Sequence, residues 1–245
     1  MRARLKRWFL GAALLAALGR VAAADTYSAS GITEPVADIL LSTPVAGIVA
    51  EIKYGEGMFV ASNAVILTLD KRLEELETTR RKVVLDNRKQ DYQSTLGVYE
   101  KTKSVSRDEV DKKRAEYEVA GAEYETALEQ LRRRQIIAPC AGVVAESPLD
   151  VGESCQAYQP VARLVDARQC YFVSNVEAKP AGRLQLGQVA KLEIDTTSGP
   201  TALTGKVVFL SPVVDPASGL QKVKLLFDNA DGKVRPGLAG KLFIE

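Results

Sequence analysis

The sequence contains no histidine among its 245 residues, and it has only three cysteines, two methionines and one tryptophan. Without histidine, the commonest general base and the commonest zinc ligand are both missing, which excludes Ser-His-Asp, Cys-His and histidine-metal chemistry. The cysteines, Cys140, Cys155 and Cys170, are evenly spaced and match no metal-site pattern. We therefore expect no catalytic residue, no metal site and no cofactor.

The same three cysteines also bear on disulfide formation. Their odd number leaves at least one thiol unpaired, and we interpret them as small buried apolar residues. A disulfide between Cys140 and Cys155 stays an alternative, because the sequence does not give the distance between their Cα atoms.

The amino terminus has the pattern of a secretory signal peptide. Four basic residues within positions 2–7 precede an apolar run from Trp8 to Leu18, and the small residues Ala22–Ala24 follow. This is the order of a charged region, an apolar region and a cleavage site. We expect cleavage after Ala24; a retained membrane anchor is the alternative, although the run is about half of the ~20 residues that span a bilayer.

Charge gives no reason to expect nucleic-acid binding. Five of the 33 basic residues and none of the 31 acidic ones fall within residues 1–24. The rest of the chain therefore has 28 basic against 31 acidic residues, whereas neutralising phosphates needs a basic excess on one face.

A short motif occurs twice in the chain. The stretch 43–51, TPVAGIVAE, aligns with 138–146, APCAGVVAE, and Gly57 aligns with Gly152. Each copy has a proline at a strand entrance, then β-branched residues, then a turn that contains glycine. We expect the copies to be two halves of one small β-sandwich.

The segment between the copies, 71–134, is helical in composition. It has 30 charged residues among 64, no proline and two glycines. In its second arm, Ser106 and Glu109 predict a capping box at the helix start, and bulky residues and alanines at heptad spacing predict a coiled-coil seam. The seam residues are Val110, Tyr117, Ala120, Tyr124, Ala127 and Leu131. The first arm, about 70–99, has the less regular candidates Leu73, Leu76, Val83 or Val84, Leu96 and Tyr99.

Two such motifs, separated by a helical segment, resemble the split lipoyl/biotinyl-like sandwich of the membrane fusion proteins. These HlyD-like and RND-type proteins are the periplasmic adaptors of bacterial export systems, and an antiparallel coiled-coil hairpin divides their sandwich. The resemblance covers residues 39–245. It implies a short form of the adaptor, without the membrane-proximal domain of larger members.

The turn between the two arms resembles the tip signature of that family. Val105, Ser106, Arg107 and Asp111 match it, whereas 102–104 replaces a usual Gly-Ala pair. In the family this tip docks onto the outer-membrane channel. The resemblance therefore implies a partner-binding tip formed by Tyr99, Lys103, Ser104, Val105, Ser106, Arg107, Asp108 and Asp111.

The last third of the chain is rich in short strand candidates. Five segments have strand composition, with turn residues between them: 170–173, 189–194, 205–210, 223–227 and 241–244. Such strands suit a small β-barrel, and a short helix or turn is expected at 180–187. The turns at 211–219 and 228–237 resemble the turns SPxVDxxSG and NxDGxVRPG of the adaptor family.

Together these features predict a mainly β protein with an α-helical hairpin. The expected division is a signal peptide at 1–24, a segment with a strand returning to the barrel at 25–41, and a split sandwich at 42–70 and 135–165. The α-helical hairpin then occupies 71–134 and the β-barrel domain 166–245. For the returning strand, Ile39–Leu41 is the candidate.

The function that this resemblance implies is non-enzymatic. The protein would be a periplasmic adaptor, peripheral to the inner membrane, linking an inner-membrane efflux pump through its barrel to an outer-membrane channel through its hairpin tip. A homo-oligomer is expected, because one slender molecule cannot seal a conduit. The alternatives are a lipoyl- or biotin-type carrier modified at Lys71 and a structural coiled-coil protein of the envelope.

Overall fold

Residues 27–244 are described by the computed structural model, so the expected signal peptide at 1–24 lies outside them. They form mostly β-structure with three helices. In chain order, the elements are β1 (Tyr27–Ser42), β2 (Gly47–Ile52), β3 (Phe59–Val60), β4 (Val65–Leu69), α1 (Arg72–Thr102), α2 (Arg107–Arg132), β5 (Gln135–Ile137), β6 (Gly142–Glu146), β7 (Ser154–Cys155), β8 (Pro160–Glu177), α3 (Ala178–Ala181), β9 (Val189–Thr196), β10 (Gly199–Val214), β11 (Leu220–Asp228) and β12 (Ala239–Ile244).

Six of these strands form a closed ring. The pairing runs β1-β12-β9-β10-β11-β8, and β8 pairs back with β1. Buried and exposed residues alternate along β9 and β12, as expected for strands with one face toward a core. The core inside the ring contains Phe172, Leu192, Leu225 and Leu242, all fully buried. The five strand candidates of the last third all lie within β8 to β12.

The two copies of the repeated motif interlock. Gly47 of the first copy pairs with Cys155 of the second through β2 and β7, and Phe59 pairs with Val143 through β3 and β6. Each of the two small cores beneath these strands contains buried residues from both copies, such as Leu69 with Val161. The copies therefore fold as one unit, which the α1–α2 segment interrupts in sequence.

Two long strands continue from the ring into this unit. β1 pairs with β8 at 31–35 beside the barrel core and again at 37–42 beside the interlocked copies, with an irregular register between Pro35 and Ala37. The returning strand is thus far longer than the expected Ile39–Leu41, and the predicted boundary at 165–166 falls inside β8. Sequence pattern did not show this, because the pairing joins residues more than a hundred positions apart.

All three cysteines are free thiols. Cys155 and Cys170 are buried and Cys140 is half-buried, so the alternative of a Cys140–Cys155 disulfide is not realised in this structure. Burial raises the pKa of the Cys170 thiol, although a hydrogen bond from Asn229 opposes this shift. Buried thiols of this kind behave as small apolar residues.

Of the helices within residues 27–244, none combines the length and the apolar character needed to cross a membrane.

Candidate docking site at the hairpin tip

The helices α1 and α2 pack side by side in opposite directions. Near the base, the Thr78 hydroxyl donates to the Ala127 carbonyl at 3.3 Å. Farther out, Arg88 donates to Glu116 at 3.2 Å. Beyond this pair, the Tyr92 and Tyr117 rings stack with centroids 6.1 Å apart. At ~1.5 Å per residue, the 31-residue α1 extends about 46 Å.

The two helices contribute unequally to their interface. On α2, Val110, Ala120 and Ala127 are buried, while Tyr117, Tyr124 and Leu131 are half-buried, as the heptad spacing predicts. On α1 no residue is buried.

Part of the expected first-arm seam is therefore wrong. Leu96 and Tyr99 are half-buried, and so is Val84, which is therefore the seam residue of the Val83 or Val84 alternative. Leu73 and Leu76, like Val83, are exposed on the outer surface. Polar side chains of α1 contact α2 in their place, including Thr78, Arg81 and Arg88. Glu74, Arg81 and Arg88 are polar residues at heptad spacing and mark the inner face of α1, a signal that a seam pattern of apolar residues does not contain.

An arginine secures the base of the hairpin. Arg134 donates two hydrogen bonds to the Glu74 carboxylate, at 2.6 and 2.9 Å, and one to the Ala46 carbonyl at 2.9 Å. It thereby connects the end of the hairpin, the start of α1 and the loop before β2. Nε and Nη2 of Arg134 both donate to the same Glu74 oxygen, Oε1, and Nη1 donates to the Ala46 carbonyl. The direction in which the hairpin leaves the β-structure is therefore set by side-chain contacts as well as by the backbone.

Glu77 is the centre of an ion-pair cluster on α1. Arg80 and Arg81 donate hydrogen bonds to its carboxylate and lower the pKa of Glu77 to about 2, with the larger effect from Arg80. Arg81 also pairs with Glu123 of α2. The cluster therefore connects the surface of one helix to the other.

This cluster predicts a loss of hairpin stability at acid pH. Because the folded-state pKa of Glu77 lies below its unfolded value, its contribution is present above about pH 4.5 and is lost as the pH falls toward about 2. Urea unfolding followed by far-UV circular dichroism measures the effect. The fall in the unfolding midpoint between about pH 6 and about pH 2 should be smaller in Glu77→Gln than in the unaltered protein. An equal fall in both proteins would show that the cluster does not stabilise the hairpin.

The tip is a short turn with its own hydrogen bonds. Lys103 has a left-handed backbone, with φ of 55°, and its N–H donates to the Tyr99 carbonyl at 3.1 Å, which ends α1. The Ser104 hydroxyl donates to the Thr102 hydroxyl at 2.8 Å. Ser106 caps α2 by accepting a hydrogen bond from the Glu109 N–H at 3.1 Å. The Ser106 half of the predicted capping box is thus confirmed, and the turn is ordered by local contacts. Within residues 27–244 the Glu109 carboxylate accepts no return hydrogen bond from the Ser106 N–H.

All eight predicted tip residues lie at this end of the hairpin, and two further contacts among them involve side chains. The Lys103 ammonium lies 4.0 Å from the centre of the Tyr99 ring. Arg107 and Asp111 are one helical turn apart, and the distance from Arg107 Nε to Asp111 Oδ2 is 3.8 Å. Their side chains are 81% and 63% exposed. Val105 is half-buried, and Ser104, Ser106 and Asp108 are exposed. A long, exposed ion pair has little net energy, so Arg107 is available to a partner.

Comparison with known proteins agrees with this architecture. The profile of the CusB-like β-barrel domain matches residues 173–244. The solvent efflux pump periplasmic linker SrpA of Pseudomonas putida is 26% identical over 211 residues, which cover 79% of this chain and 54% of that protein. The chain thus spans about half the length of the curated relatives it matches.

Solved structures share the fold. A chimaera of MacA with the α-hairpin domain of Pseudomonas aeruginosa MexA has a TM-score of 0.77 at 17% identity, over 90% of this chain and 78% of that one. The membrane fusion protein Spr0693 of Streptococcus pneumoniae has a TM-score of 0.68 at 15% identity, over 89% of this chain and 98% of that one. Barrel profile, relatives and fold agree: residues 173–244 match a β-barrel domain of the CusB-like type, and the chain is similar in sequence to efflux-pump periplasmic linkers and shares its fold with membrane fusion proteins.

Proposed function

We propose that this protein is a periplasmic adaptor that links an inner-membrane efflux transporter to an outer-membrane channel in a tripartite export system. The observation that carries the proposal is the α1–α2 hairpin, which leaves two interlocked β-motifs and ends in an ordered, exposed tip. A relative named a solvent efflux pump periplasmic linker supports the same role.

The strand pairing supports a finer architecture. We assign the interlocked copies, 42–70 and 135–165, to a lipoyl-like sandwich and 71–134 to a coiled-coil hairpin. The barrel domain comprises the later part of β8 and the strands β9 to β12, and β1 joins it as the returning strand. Pairing of β2 with β7 and of β3 with β6 supports the sandwich, and the buried Val110, Ala120 and Ala127 of α2 support the coiled coil.

The tip is the proposed contact with the outer-membrane channel. Arg107 offers a planar, permanently charged donor group, which suits bidentate binding to a carboxylate of the partner. Lys103 over the Tyr99 ring adds a second cation nearby. Because the Ser106 cap and the Ser104–Thr102 bond order this turn, little conformational entropy is lost when it docks.

The barrel is the proposed contact with the transporter, and several adaptors are proposed to pack around one conduit. Leu73, Leu76 and Val83 leave apolar surface on the outer face of α1, with exposed fractions of 79%, 61% and 55%. Apolar side chains in such a row favour contact with another protein surface. Packing of α1 against a second copy would cover them.

We further propose a non-enzymatic role in the periplasm, after removal of the signal peptide.

The alternative of a lipoyl or biotin carrier requires a modified lysine on an exposed hairpin between the halves. Lys71 instead directly precedes α1, and its ammonium pairs with Glu75 at 2.9 Å. This position favours a structural role for Lys71 at the helix start.

Site-specific photo-crosslinking tests the proposed contact of the tip. A benzoyl-phenylalanine at Ser104 should crosslink to an outer-membrane channel in cells, because Ser104 is exposed in the tip turn. The matched control carries the same group at Tyr158, whose side chain is 80% exposed but lies in the interlocked copies. Equal crosslinking from both positions, or none to an outer-membrane protein from Ser104, would contradict the proposal.

A further inference from the structure

We propose that the cleft between the barrel and the interlocked copies binds a small amphipathic anion. The cleft has a volume of about 750 Å³ and is lined by β1, β3, β6, β8 and the loop 229–237. This volume lies within the ~300–1,000 Å³ that is typical of small-molecule sites. The inference rests on this cleft and not on the proposed export role.

The walls of the cleft are apolar. Phe59 and Val143 face it from the paired strands β3 and β6, and Ile32 faces it from the barrel side. These side chains are 55%, 40% and 51% exposed, although each is large and hydrophobic. Exposed apolar residues on opposite sides of one concave surface favour a ligand with an apolar body.

Charge on the cleft is almost fully paired. Arg163 pairs with Asp38 at 2.7 Å and with Glu146 at 2.8 Å, and Arg168 pairs with Asp166 at 2.7 Å.

The remaining two charged residues of the cleft, Glu34 and Arg235, differ in whether they form an ion pair. Glu34 is paired with Lys224 at 3.4 Å. Arg235 is exposed, and within residues 27–244 its guanidinium has no ion pair or side-chain hydrogen bond. Because Arg163 is shared by two carboxylates, these charges sum to zero and the cleft has no net positive charge. Arg235 is nevertheless its one cation that no carboxylate pairs within residues 27–244, so it can pair with one anionic group of a ligand.

The loop that carries Arg235 is held in place before any ligand binds. The buried Asn229 side chain donates to the Ala167 carbonyl at 2.8 Å and to the Val234 carbonyl at 2.7 Å, and accepts from the Val234 N–H at 3.0 Å. The Thr33 hydroxyl donates to the Arg235 carbonyl at 3.1 Å and accepts from the Leu238 N–H at 3.0 Å. A wall fixed in this way loses little entropy on binding.

The expected ligand is therefore an aliphatic or aromatic chain with one carboxylate or sulfonate. Its apolar part would cover Phe59 and Ile32, and its anionic group would meet Arg235. Because the cleft lies between the barrel and the interlocked copies, a bound molecule would contact both units. The competing occupant is a segment of a second copy of this chain.

Fluorescence of anilinonaphthalene sulfonate with the full-length mature protein tests the site. The dye should bind saturably, decanoate should displace it, and decyltrimethylammonium, with the same chain length and opposite charge, should displace it far less. Arg235→Gln should weaken decanoate binding about tenfold, and Arg235→Lys should retain most of it. Arg183→Gln is the matched control, because Arg183 is also an exposed arginine that has no ion pair with any other residue of 27–244, but it lies outside the cleft.

Three results would overturn the inference. They are equal displacement by decanoate and the cation, equal affinity of Arg235→Gln and Arg183→Gln, and the absence of saturable binding. Sedimentation of Phe59→Ser gives an independent measurement. If this variant converts an oligomer to monomers, a second copy occupies the cleft and the ligand assignment is wrong. Unchanged sedimentation together with lost dye binding supports it.

Discussion

Reversing the charge of Arg107 is expected to reduce export at least about tenfold without unfolding the protein. The Arg107 side chain is 81% exposed, and among the described residues its one ion pair is the 3.8 Å contact with Asp111, so its removal costs the fold little. If its guanidinium is buried against a carboxylate of the channel, Arg107→Glu replaces attraction by repulsion within a desolvated contact. Charged contacts of this kind contribute about 2 kcal/mol or more. Tolerance of cells to an exported toxic compound measures the loss.

The matched control is Arg114→Glu. It makes the same change of charge on the same helix, at a residue that pairs with Glu118 at 2.8 Å and lies about 10 Å farther from the tip. Export by this variant should be close to that of the unaltered protein. If both variants export equally well, the tip is not the docking site; if both fail equally, net charge and not position is responsible.

Gly31→Ala is expected to destabilise the closed ring by about 3 kcal/mol. Gly31 pairs with Gly240 of β12 and with Ser174 of β8, at the point where β1 joins both neighbours. A Cβ atom on Gly31 would lie 2.4 Å from the Val173 carbonyl oxygen and 2.7 Å from the Phe172 ring. Because a strand carbonyl cannot rotate away, the strands would have to separate, which disturbs the core at Phe172.

Thermal unfolding measures this effect. A loss of about 3 kcal/mol lowers the Tm by roughly 10 °C in a chain of this size. Gly55→Ala is the control, because a Cβ on Gly55 would meet no atom within 4 Å and should change stability by less than about 0.5 kcal/mol. Similar Tm values for the two variants would show that close packing at the closing strands does not limit the stability of the ring.

The tip and the repeat illustrate what local pattern predicts well. Ser106 is a good N-cap because its hydroxyl accepts from an N–H only three residues away. A contact over so short a range can be recognised from the local sequence. The repeat was visible because both copies need proline, glycine and β-branched residues at the same positions of the same small strands. The seam on α2 was visible because its buried residues are apolar.

The α1 seam and the cleft illustrate what local pattern misses. Arg81 and Arg88 face α2 because Glu123 and Glu116 stand opposite them, and nothing within α1 shows which acids the second helix will present. The cleft joins Phe59, Ile32 and Arg235, which lie far apart in sequence. Their convergence depends on the long pairing of β1 with β8.

By itself, the sequence determined the kinds of element and their order: a duplicated β-motif, a charged helical pair inserted within it, and a run of short strands after it. These follow from spacings of two, three or seven residues, which the backbone geometry of strands and helices imposes locally. Only the tertiary structure decided which face of α1 meets α2, how far β1 extends from one unit into the other, and which arginine of the cleft has no ion pair within residues 27–244. Those outcomes depend on side chains from distant positions in the sequence. Which of these side chains become neighbours is set by the register of the strands and helices and not by local composition.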